Sequence, residues 1–403
     1  MKIDTNSVIF REDLYPRFEA NQELIQKYAY AIEHLPPIKI SQQNILIDGY
    51  HRWKAHQLNG EKEIEAETIV IQSERELKKL AYQLNSNHGL QLSNEEKCRY
   101  AQEMIGEMTV KELAAILSVG ESTIKRWTET QRKAAEQERN RKIIEMYLRA
   151  WNTQENIADV LGVDVATVSR ILQKDQMGDL QKEFGVMLYN VWNTPKQDTV
   201  MDSHFGSFPL IFMKNLLYYH TKPLDIVFDP FAGGGTTVDA CKEMFRRYYC
   251  SDRIVKPGRE KDILEHDIKN GLPKNLSKPQ LVFLDPPYWK QAAGKYSDSP
   301  DDLGNMSLDD FYDSLSGLIK LLKDRKIERI AVVIAPTQYP NNMVFEDHIF
   351  KIHHMLSDKY QIEMRYVLPY STQQYNGNMV NKAKEANVCL NIVRDLVVWR
   401  LVK

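Results

Sequence analysis

The fold of the second half of the chain is decided by the stretch Asp225-Ile-Val-Phe-Asp-Pro-Phe-Ala-Gly-Gly-Gly-Thr-Thr-Val-Asp-Ala240. An apolar run predicts a buried strand, three glycines predict a tight turn, and the residues after them begin a helix. Without Cβ atoms at Gly233 and Gly235, the backbone can approach a ligand closely. Such a loop can cradle a phosphate, bind a dinucleotide or simply turn the chain, but no Gly-Lys-Ser/Thr follows, which excludes a P-loop.

Further strands are predicted after this loop. Short apolar runs at residues 248–250, 280–284 and 328–334 are separated by segments with helical spacing. Strands that alternate with helices predict a mostly parallel, doubly wound sheet, in which ligands bind at the carboxyl ends of the strands. Asp229 ends the first strand, where its carboxylate can face the cationic part of a cofactor. Asp252 follows the next strand, where ribose hydroxyls are usually held.

A second motif, Asp285-Pro-Pro-Tyr288, follows the apolar run Leu281-Val-Phe-Leu284. An exocyclic amine is a poor nucleophile because its lone pair is delocalised into the ring, so acceptors must hold it in a reactive geometry. Asp285 and the carbonyl of Pro286 can accept its two hydrogens, while Pro286 and Pro287 fix the backbone. Tyr288 can stack on a base extruded from a duplex. Taken alone, the same four residues could also form a structural turn.

The two motifs together resemble the amino-group DNA methyltransferases, which act on adenine N6 or cytosine N4, over about residues 184–403. The resemblance implies S-adenosylmethionine as the cofactor, with Asp252 on its ribose. Its other cofactor-lining residues are implied to be Asp229, Phe231, Gly233, Gly235 and Thr236. The catalytic residues are implied to be Asp285, Pro286, Pro287 and Tyr288, and the aspartate favours adenine over cytosine. The cofactor motif comes first here, whereas this form of glycine loop is common in relatives with the opposite order.

Three further features lie near these motifs. Asp267 is either a contact to the adenine of the cofactor or an exposed loop acid. The segment from His204 to Leu217 resembles the beginning of the helix that packs beside the cofactor in that family, or is an ordinary amphipathic helix with Pro209 in its first turn. Residues 291–310, rich in Gly, Ser, Asp and Asn, predict a mobile loop near the substrate.

Two segments have the pattern of a helix-turn-helix. In the segment from Thr153 to Leu172, Gly162 makes the turn, and the predicted core residues are Ile157, Val160, Val163, Val168 and Ile171. The second helix would present Thr167, Ser169 and Arg170 to a major groove. A weaker copy, from Thr109 to Trp127, offers Lys125 and Arg126 to phosphates. For both copies, a purely structural helical hairpin is the alternative interpretation.

Near the amino terminus, Ile45-Leu-Ile-Asp-Gly-Tyr-His-Arg-Trp-Lys-Ala55 predicts a strand, a glycine turn and a helix. Backbone donors at a helix start, with an arginine, suit a phosphate. The segment resembles the amino-terminal domain of ParB-like proteins, which share a fold with sulfiredoxin. This resemblance implies binding of a nucleotide such as CTP, so Gly49, His51 and Arg52 are candidate phosphate contacts. The later family motif, Glu-Asn-x-x-Arg, has only a loose counterpart from Gln83 to Gly89, and a DNA-docking or dimer-forming scaffold is the alternative.

Composition narrows the class of protein. With 53 Lys+Arg against 55 Asp+Glu, the chain carries no uniformly basic coat, so any contact with DNA must come from local patches. The four cysteines include no CxxC pair and predict neither a disulfide framework nor a metal site. The chain has neither the apolar segment of a signal peptide nor a run long enough to span a bilayer, which predicts a cytoplasmic protein without membrane contact.

These observations predict three domains: a ParB/sulfiredoxin-like α/β domain over residues 1–90, an all-α helix-turn-helix region over 91–180, and a Rossmann-like doubly wound methyltransferase domain over 181–403. The predicted function is methylation of a flipped base, with residues 1–180 delivering the catalytic domain to double-stranded DNA. Two alternatives stay open. The chain could be a ParB-like clamp or transcription regulator with an inactive methylase domain, or an enzyme acting on RNA or protein. A homodimer is compatible with each of these functions.

Overall fold

The computed structural model describes residues 1–14, 20–87, 92–174, 184–193, 208–291, 293–294, 298–338, 345–369 and 375–402. The chain divides into two compact units, Met1–Arg139 and Asn140–Lys403. Both domain boundaries predicted from the sequence, after residues 90 and 180, lie outside the described residues and stay predictions.

The first unit begins with a small α/β fold. Its sheet has the strand order β1-β4-β2-β3, in which β2 and β4 are parallel and the other neighbours are antiparallel. These strands are β1 (Lys2–Asp4), β2 (Ile38–Ser41), β3 (Leu46–Asp48) and β4 (Glu63–Ile69). The first helices are α1 (Gln22–Tyr30), α2 (Tyr50–Leu58) and α3 (Glu74–Asn87). Ile38, Ile40 and Trp53 are buried between sheet and helix, and the Trp53 indole donates to the carbonyl of Thr5 at 2.9 Å.

Helices follow: α4 (Asn94–Met104), α5 (Val110–Leu117), α6 (Glu121–Trp127) and α7 (Glu129–Leu148). The predicted first helix-turn-helix is the pair α5 and α6. Thr109 starts α5 with a reciprocal cap, since its hydroxyl accepts from the Glu112 amide at 3.2 Å and the Glu112 carboxylate accepts from the Thr109 amide at 2.9 Å. Ser118 adopts a φ of 51° in the turn, where a glycine would be expected.

The second unit is built on a seven-stranded sheet of order β12-β13-β9-β8-β5-β6-β7. Its strands are β5 (Ile226–Asp229), β6 (Arg247–Asp252), β7 (Ile263–Glu265), β8 (Leu281–Leu284), β9 (Arg329–Ile334), β12 (Tyr360–Pro369) and β13 (Val393–Leu401); β10 (Thr337–Gln338) and β11 (Phe345–Glu346) form a separate pair. All neighbours from β7 to β9 are parallel, and β13 is antiparallel to both of its neighbours. The strand order reverses between β5 and β8, which is where doubly wound sheets bind ligands.

Helices cover both faces of this sheet. The helices of this unit after α7 are α8 (Gln154–Leu161), α9 (Val165–Lys174), α10 (Leu210–His220), α11 (Thr236–Glu243), α12 (Leu308–Asp324), α13 (His348–Leu356) and α14 (Gly377–Glu385). Val227 packs into a core that includes Phe212 of α10, whereas its neighbour Phe228 packs into a core that includes Phe311 of α12. Consecutive residues of β5 are therefore buried on opposite faces, as in a parallel sheet covered on both sides. The doubly wound α/β class predicted from the sequence is confirmed.

The second helix-turn-helix is the pair α8 and α9, joined at Gly162 with a φ of 62°. Ile157, Val168 and Ile171 form its buried core together with Ile143 of α7. The prediction that Val160 belongs to this core is wrong, because its side chain is 63% exposed. Leu161, four residues after Ile157, packs against the core in its place. In the described part of the chain, no helix is long and apolar enough to cross a membrane.

Candidate active site

The glycine loop follows β5 and leads into α11. Gly233 and Gly235 have φ angles of 49° and 90°, a region in which residues with side chains are strained. The Gly233 amide donates to Oδ2 of Asp252 at 2.7 Å, which fixes the loop against the end of β6. A Cβ built on Gly233 would have the carbonyl of Phe231, at 3.9 Å, as its nearest neighbour. The loop backbone is thus open to a ligand on that side.

Asp229 supports the loop from within the sheet. Only 2% of the residue is exposed, Oδ1 accepts from the Phe231 amide at 2.9 Å, and Oδ2 accepts from the Thr237 hydroxyl at 2.5 Å. Burial raises the pKa of Asp229 to about 7, although the bonds from Thr237 and Phe231 lower it. Both oxygens therefore hold the loop, and a direct contact between Asp229 and a cofactor stays a prediction.

Two further acids follow the neighbouring strands. Asp252 is half-buried at the end of β6, and burial raises its pKa, although hydrogen bonds from the loop amides lower it. Asp252 pairs in register with Glu265, so Asp267 comes only two residues after the end of the adjacent strand. Asp267 is half-buried, and its Oδ1 accepts from the Lys269 amide at 2.9 Å, capping a single 3-10 turn. The acids predicted for ribose and adenine thus lie at one edge of the sheet.

Arg259 packs against the outside of the glycine loop, although no sequence pattern singled it out. Its guanidinium donates twice to Asp239 of α11, at 2.7 Å each. A Cβ on Gly235 would lie 2.9 Å from Nε of Arg259. Position 235 therefore favours glycine for two reasons, its positive φ and the arginine that packs over it.

The predicted catalytic motif, Asp285-Pro-Pro-Tyr288, comes directly after β8, the strand that pairs with β5. The register Val227 with Leu281 and Phe228 with Val282 makes the two strands end side by side. Asp285 is half-buried, and burial raises its pKa to about 7, while the charge of Arg394 and a hydrogen bond from Tyr288 lower it. Pro286 is buried, and Pro287 and Tyr288 are half-buried. An acid with this pKa can accept a proton near neutral pH.

Arg394 is the basic residue beside Asp285, and the sequence analysis missed it. It lies near the start of β13, is 9% exposed, and its guanidinium stands 5.4 Å from the ring centroid of Phe208. The Phe208 ring in turn lies 5.2 Å from the ring of Phe283, two residues before Asp285. One signal was present in the sequence, because Arg394 is a charge within the mainly apolar run of residues 392–399. Which acid lies beside Arg394 depends on the order of the strands in the sheet, so it cannot be predicted from the residues around Arg394.

The residues after the motif anchor it to the fold. The indole of Trp289 donates to the carbonyl of Met306, just before α12, at 2.9 Å. The carbonyl of Trp289 accepts from the Thr337 hydroxyl at 3.1 Å, and that hydroxyl also contacts Nε2 of His348 at 2.9 Å. Burial lowers the pKa of His348 to about 4, so its ring is neutral at pH 7. These bonds hold the motif in one conformation before a substrate arrives. Parts of the predicted 291–310 loop, including Tyr296, lie outside the described residues.

The residues predicted to contact DNA belong to the two helix-turn-helix pairs. Lys125 and Arg126 of α6 are exposed in the first unit. On α9 of the second unit, Arg170 is exposed and Thr167 and Ser169 are half-buried. This exposure is compatible with a role in DNA contact, which stays a prediction.

The predicted phosphate contacts of the first unit have partners within the fold. The Arg52 guanidinium donates to the carbonyls of Pro36 and Pro37 at 2.8 and 2.7 Å and to Asp48 at 2.8 Å. Nε2 of His51 accepts from the backbone amide of residue 21 at 3.2 Å. Gly49 has a φ of 103°, and a Cβ there would lie 2.7 Å from Ile38. Packing alone explains all three residues, and a nucleotide at this place stays a prediction.

The strand ends of the second unit fit S-adenosylmethionine. The open glycine loop gives a close backbone approach, and the acids Asp252 and Asp267 suit ribose hydroxyls and a purine amine. The neighbouring acids at 229 and 285 suit a cation. Within the described residues, no group of three or more His, Cys, Asp or Glu side chains is arranged to hold a metal ion.

One family of known proteins matches this chain. Residues 46–255, just over half of the chain, match the DNA methylase family, and this protein belongs to that family. The matched segment includes the glycine loop and Asp252 but ends before Asp285. No curated protein matches the chain.

Several solved structures share a weak likeness. ParB from Caulobacter crescentus with its parS site is 14% identical, covering 43% of this chain and 99% of that one, with a TM-score of 0.26. An rRNA methylase from Streptococcus thermophilus is 14% identical over 49% and 98%, with a TM-score of 0.29. The 1,6-didemethyltoxoflavin-N1-methyltransferase of Burkholderia thailandensis, with bound 1,6-didemethyltoxoflavin and S-adenosylhomocysteine, is 12% identical over 48% of this chain and 78% of that one, with a TM-score of 0.30. These scores are low, so the fold assignment rests on the sheet order.

We expect Gly235→Ala to lower the affinity for S-adenosylmethionine by about tenfold or more, because the new Cβ displaces Arg259 and strains the loop. Gly258→Ala is the matched control, since Gly258 has a similar φ of 86° but no described atom within 4 Å of its Cβ position. That control should lose only about 1–2 kcal/mol of stability. Titration calorimetry and thermal melts separate the two effects, and equal affinities would contradict the assignment of the loop.

Asp285→Asn should raise the melting temperature near pH 8 and raise it progressively less as the pH falls below the wild-type pKa of about 7. In the folded chain this pKa stands above the usual carboxyl value, so ionisation destabilises the fold, fully above pH 7 and not at all where both states are protonated. Melting curves across this range test the sign. An equal gain at every pH would show that Asp285 is not held in a desolvated site.

Proposed function

We propose that this member of the DNA methylase family transfers a methyl group from S-adenosylmethionine to the exocyclic amine of a base flipped out of duplex DNA, with adenine as the target. One observation carries the proposal. The glycine loop and Asp285 follow two paired, parallel strands at the point where the strand order reverses. A cofactor on the loop and an amine held by Asp285 would then meet in one crevice.

The chain's own residues would act mainly on the amine. The ionised Asp285 accepts one amine hydrogen, the Pro286 carbonyl accepts the other, and Tyr288 stacks on the base. The cofactor supplies an electrophilic methyl group when it is bound. As the amine nitrogen becomes positive, the nearby carboxylate stabilises that charge and takes up the released proton. With a pKa near 7, Asp285 is both ionised in a useful fraction and basic enough for this task.

Arg394 would keep the carboxylate of Asp285 from being protonated too early. Asp229 lies close enough to Asp285 for the charge of Asp285 to raise the pKa of Asp229, so the two acids lie in one buried region. A buried cation beside such a pair lowers the free energy of the ionised form. Arg394 is thus a positioning residue of the proposed reaction, whereas Asp285 and Tyr288 touch the base.

Duplex DNA is the substrate that the helical segments favour. The residues predicted to contact DNA, including Arg170, lie on α9, the second helix of its pair, and the second helix is the one that reads the major groove in helix-turn-helix proteins. RNA duplexes have a major groove too deep and narrow for such a helix. The adenine preference depends on the aspartate of the catalytic motif, and the first unit would add DNA affinity as a ParB-like module, with CTP as its proposed nucleotide.

The proposal is tested by incubating the wild type and Asp285→Ala with labelled S-adenosylmethionine and unmethylated genomic DNA, then identifying the nucleosides by mass spectrometry. We expect N6-methyladenine from the wild type and a loss of at least about a hundredfold in the variant. Asp313→Ala, an exposed acid on α12, is the matched control and should retain full activity. N4-methylcytosine would overturn the base assignment alone. Tight DNA binding without methylation would favour the clamp or regulator.

A further inference from the structure

Asp262 joins the second helix-turn-helix to the sheet of the same unit. The residue is 8% exposed and accepts from Nε of Arg149 at 3.1 Å, Nζ of Lys242 at 2.6 Å and the hydroxyl of Tyr248 at 2.7 Å. Arg149 lies between α7 and α8, Lys242 on α11 and Tyr248 on β6. One buried carboxylate therefore ties the segment before α8 to β6 and to α11, the helix that begins at the glycine loop.

Arg247 fixes the same segment through its carbonyls. Nε donates to the carbonyl of Tyr147 at 3.0 Å, and Nη2 donates to those of Ala150 and Asn152 at 3.3 and 3.0 Å. The guanidinium also stands 4.2 Å from the centroid of the Tyr147 ring. Charge-assisted bonds to three carbonyls leave this segment little freedom to bend.

Backbone and ring contacts complete the junction. The Ala150 amide donates to the carbonyl of Tyr248 at 2.8 Å, and the Trp151 ring lies edge-on to Tyr248 and Tyr249, with centroids 6.1 and 5.6 Å away. Leu148 is buried in the core on one face of the sheet and Ala150 in the core on the other. A hinge would need a solvated, flexible stretch, whereas residues 147–152 are bound along their length.

The junction leads directly to the candidate active site. β6 carries Tyr248 and ends at Asp252, about 13 Å further along the strand, where Asp252 binds the glycine loop. Lys242 lies on α11, which begins at that loop. The junction is thus bonded to β6 and α11, two of the elements that carry the candidate cofactor site.

We propose that this junction fixes α9 relative to the catalytic motif, so that the bases read by α9 stand at a constant distance from the methylated base. Arg149 and Arg247 are then positioning residues that set site selection without touching DNA or cofactor. The proposal rests on the proposed function, because it takes α9 as the reading helix and the crevice as the site of transfer. A flexible link would let one α9-bound enzyme reach bases at many distances, whereas a rigid one permits a single spacing.

The test compares the full-length wild type with Arg149→Ala and with a Gly-Ser-Gly insertion after Asn152. In Arg149→Ala, Asp262 keeps its bonds from Lys242 and Tyr248. The insertion leaves all the bonds of the junction in place. One variant therefore remains interpretable if the other is unstable. Arg400→Ala is the matched control. Arg400 also forms salt bridges, but it lies at the far end of β13 and its side chain is 44% exposed. Methylated genomic DNA is sequenced to measure discrimination between sites, and hydrogen exchange is followed over residues 147–152.

We expect both variants to lose about tenfold or more in discrimination and to accept extra base pairs between the read and methylated positions. Their turnover on saturating DNA should stay within about twofold of the wild type. Exchange at Ala150 should accelerate in Arg149→Ala and stay slow in the insertion variant, whose junction bonds are intact. Unchanged discrimination in the insertion variant, or in Arg149→Ala despite faster exchange, would overturn the rigid junction, and so would a wild type whose Ala150 exchanges like an unfolded peptide. Absence of methylation by a wild type with a protected Ala150 would instead overturn the proposed function, and the spacing rule with it.

Discussion

The backbone ladder between β5 and β8 is the constraint on which the rest of the second unit depends. Parallel pairing makes both strands end at one edge, and the register of Phe228 with Val282 sets how far each reaches. A one-residue slip would turn every side chain of β8 to the opposite face. Asp285 would then leave the core side that it shares with Phe283 and Arg394. The distance between the glycine loop and Asp285 is thus set by the pairing of strands within the sheet.

Burial raises the free energy of an ionised carboxylate, and the structure shows how neighbouring groups limit this penalty for three acids. Asp229 spends both oxygens on the loop, Asp262 accepts from three donors, and Asp285 has the charge of Arg394 nearby. The donors to Asp262 outweigh its burial and hold its pKa below the ordinary value, whereas burial prevails at Asp229 and Asp285. Asp229 and Asp262, whose oxygens accept from neighbouring donors, stabilise the fold, whereas Asp285, with its raised pKa, is the acid available for proton chemistry.

Much of this could be predicted from the sequence, because the signals are local. The glycine loop, the strands that flank it and both helix-turn-helix pairs follow from spacing, apolar runs and turn residues. Contacts between distant segments could not be predicted. Arg394 reaches the site only because β13 inserts between β9 and β12, and Arg259 reaches Gly235 through a long connection. Local patterning also misled once, at Val160, because two neighbouring residues on α8 compete for one core position and only the packed fold decides between them.

The central claim is that an ionised Asp285, held beside Arg394, accepts the proton that a base amine loses when it is methylated. Single-turnover methyl transfer to a duplex, followed as a function of pH, tests it most directly. The account predicts a rate that rises through about pH 7 and then levels, with a midpoint displaced to higher pH in Arg394→Met and largely restored in Arg394→Lys. A rate independent of pH across this range, or a midpoint that Arg394→Met leaves in place, would contradict it.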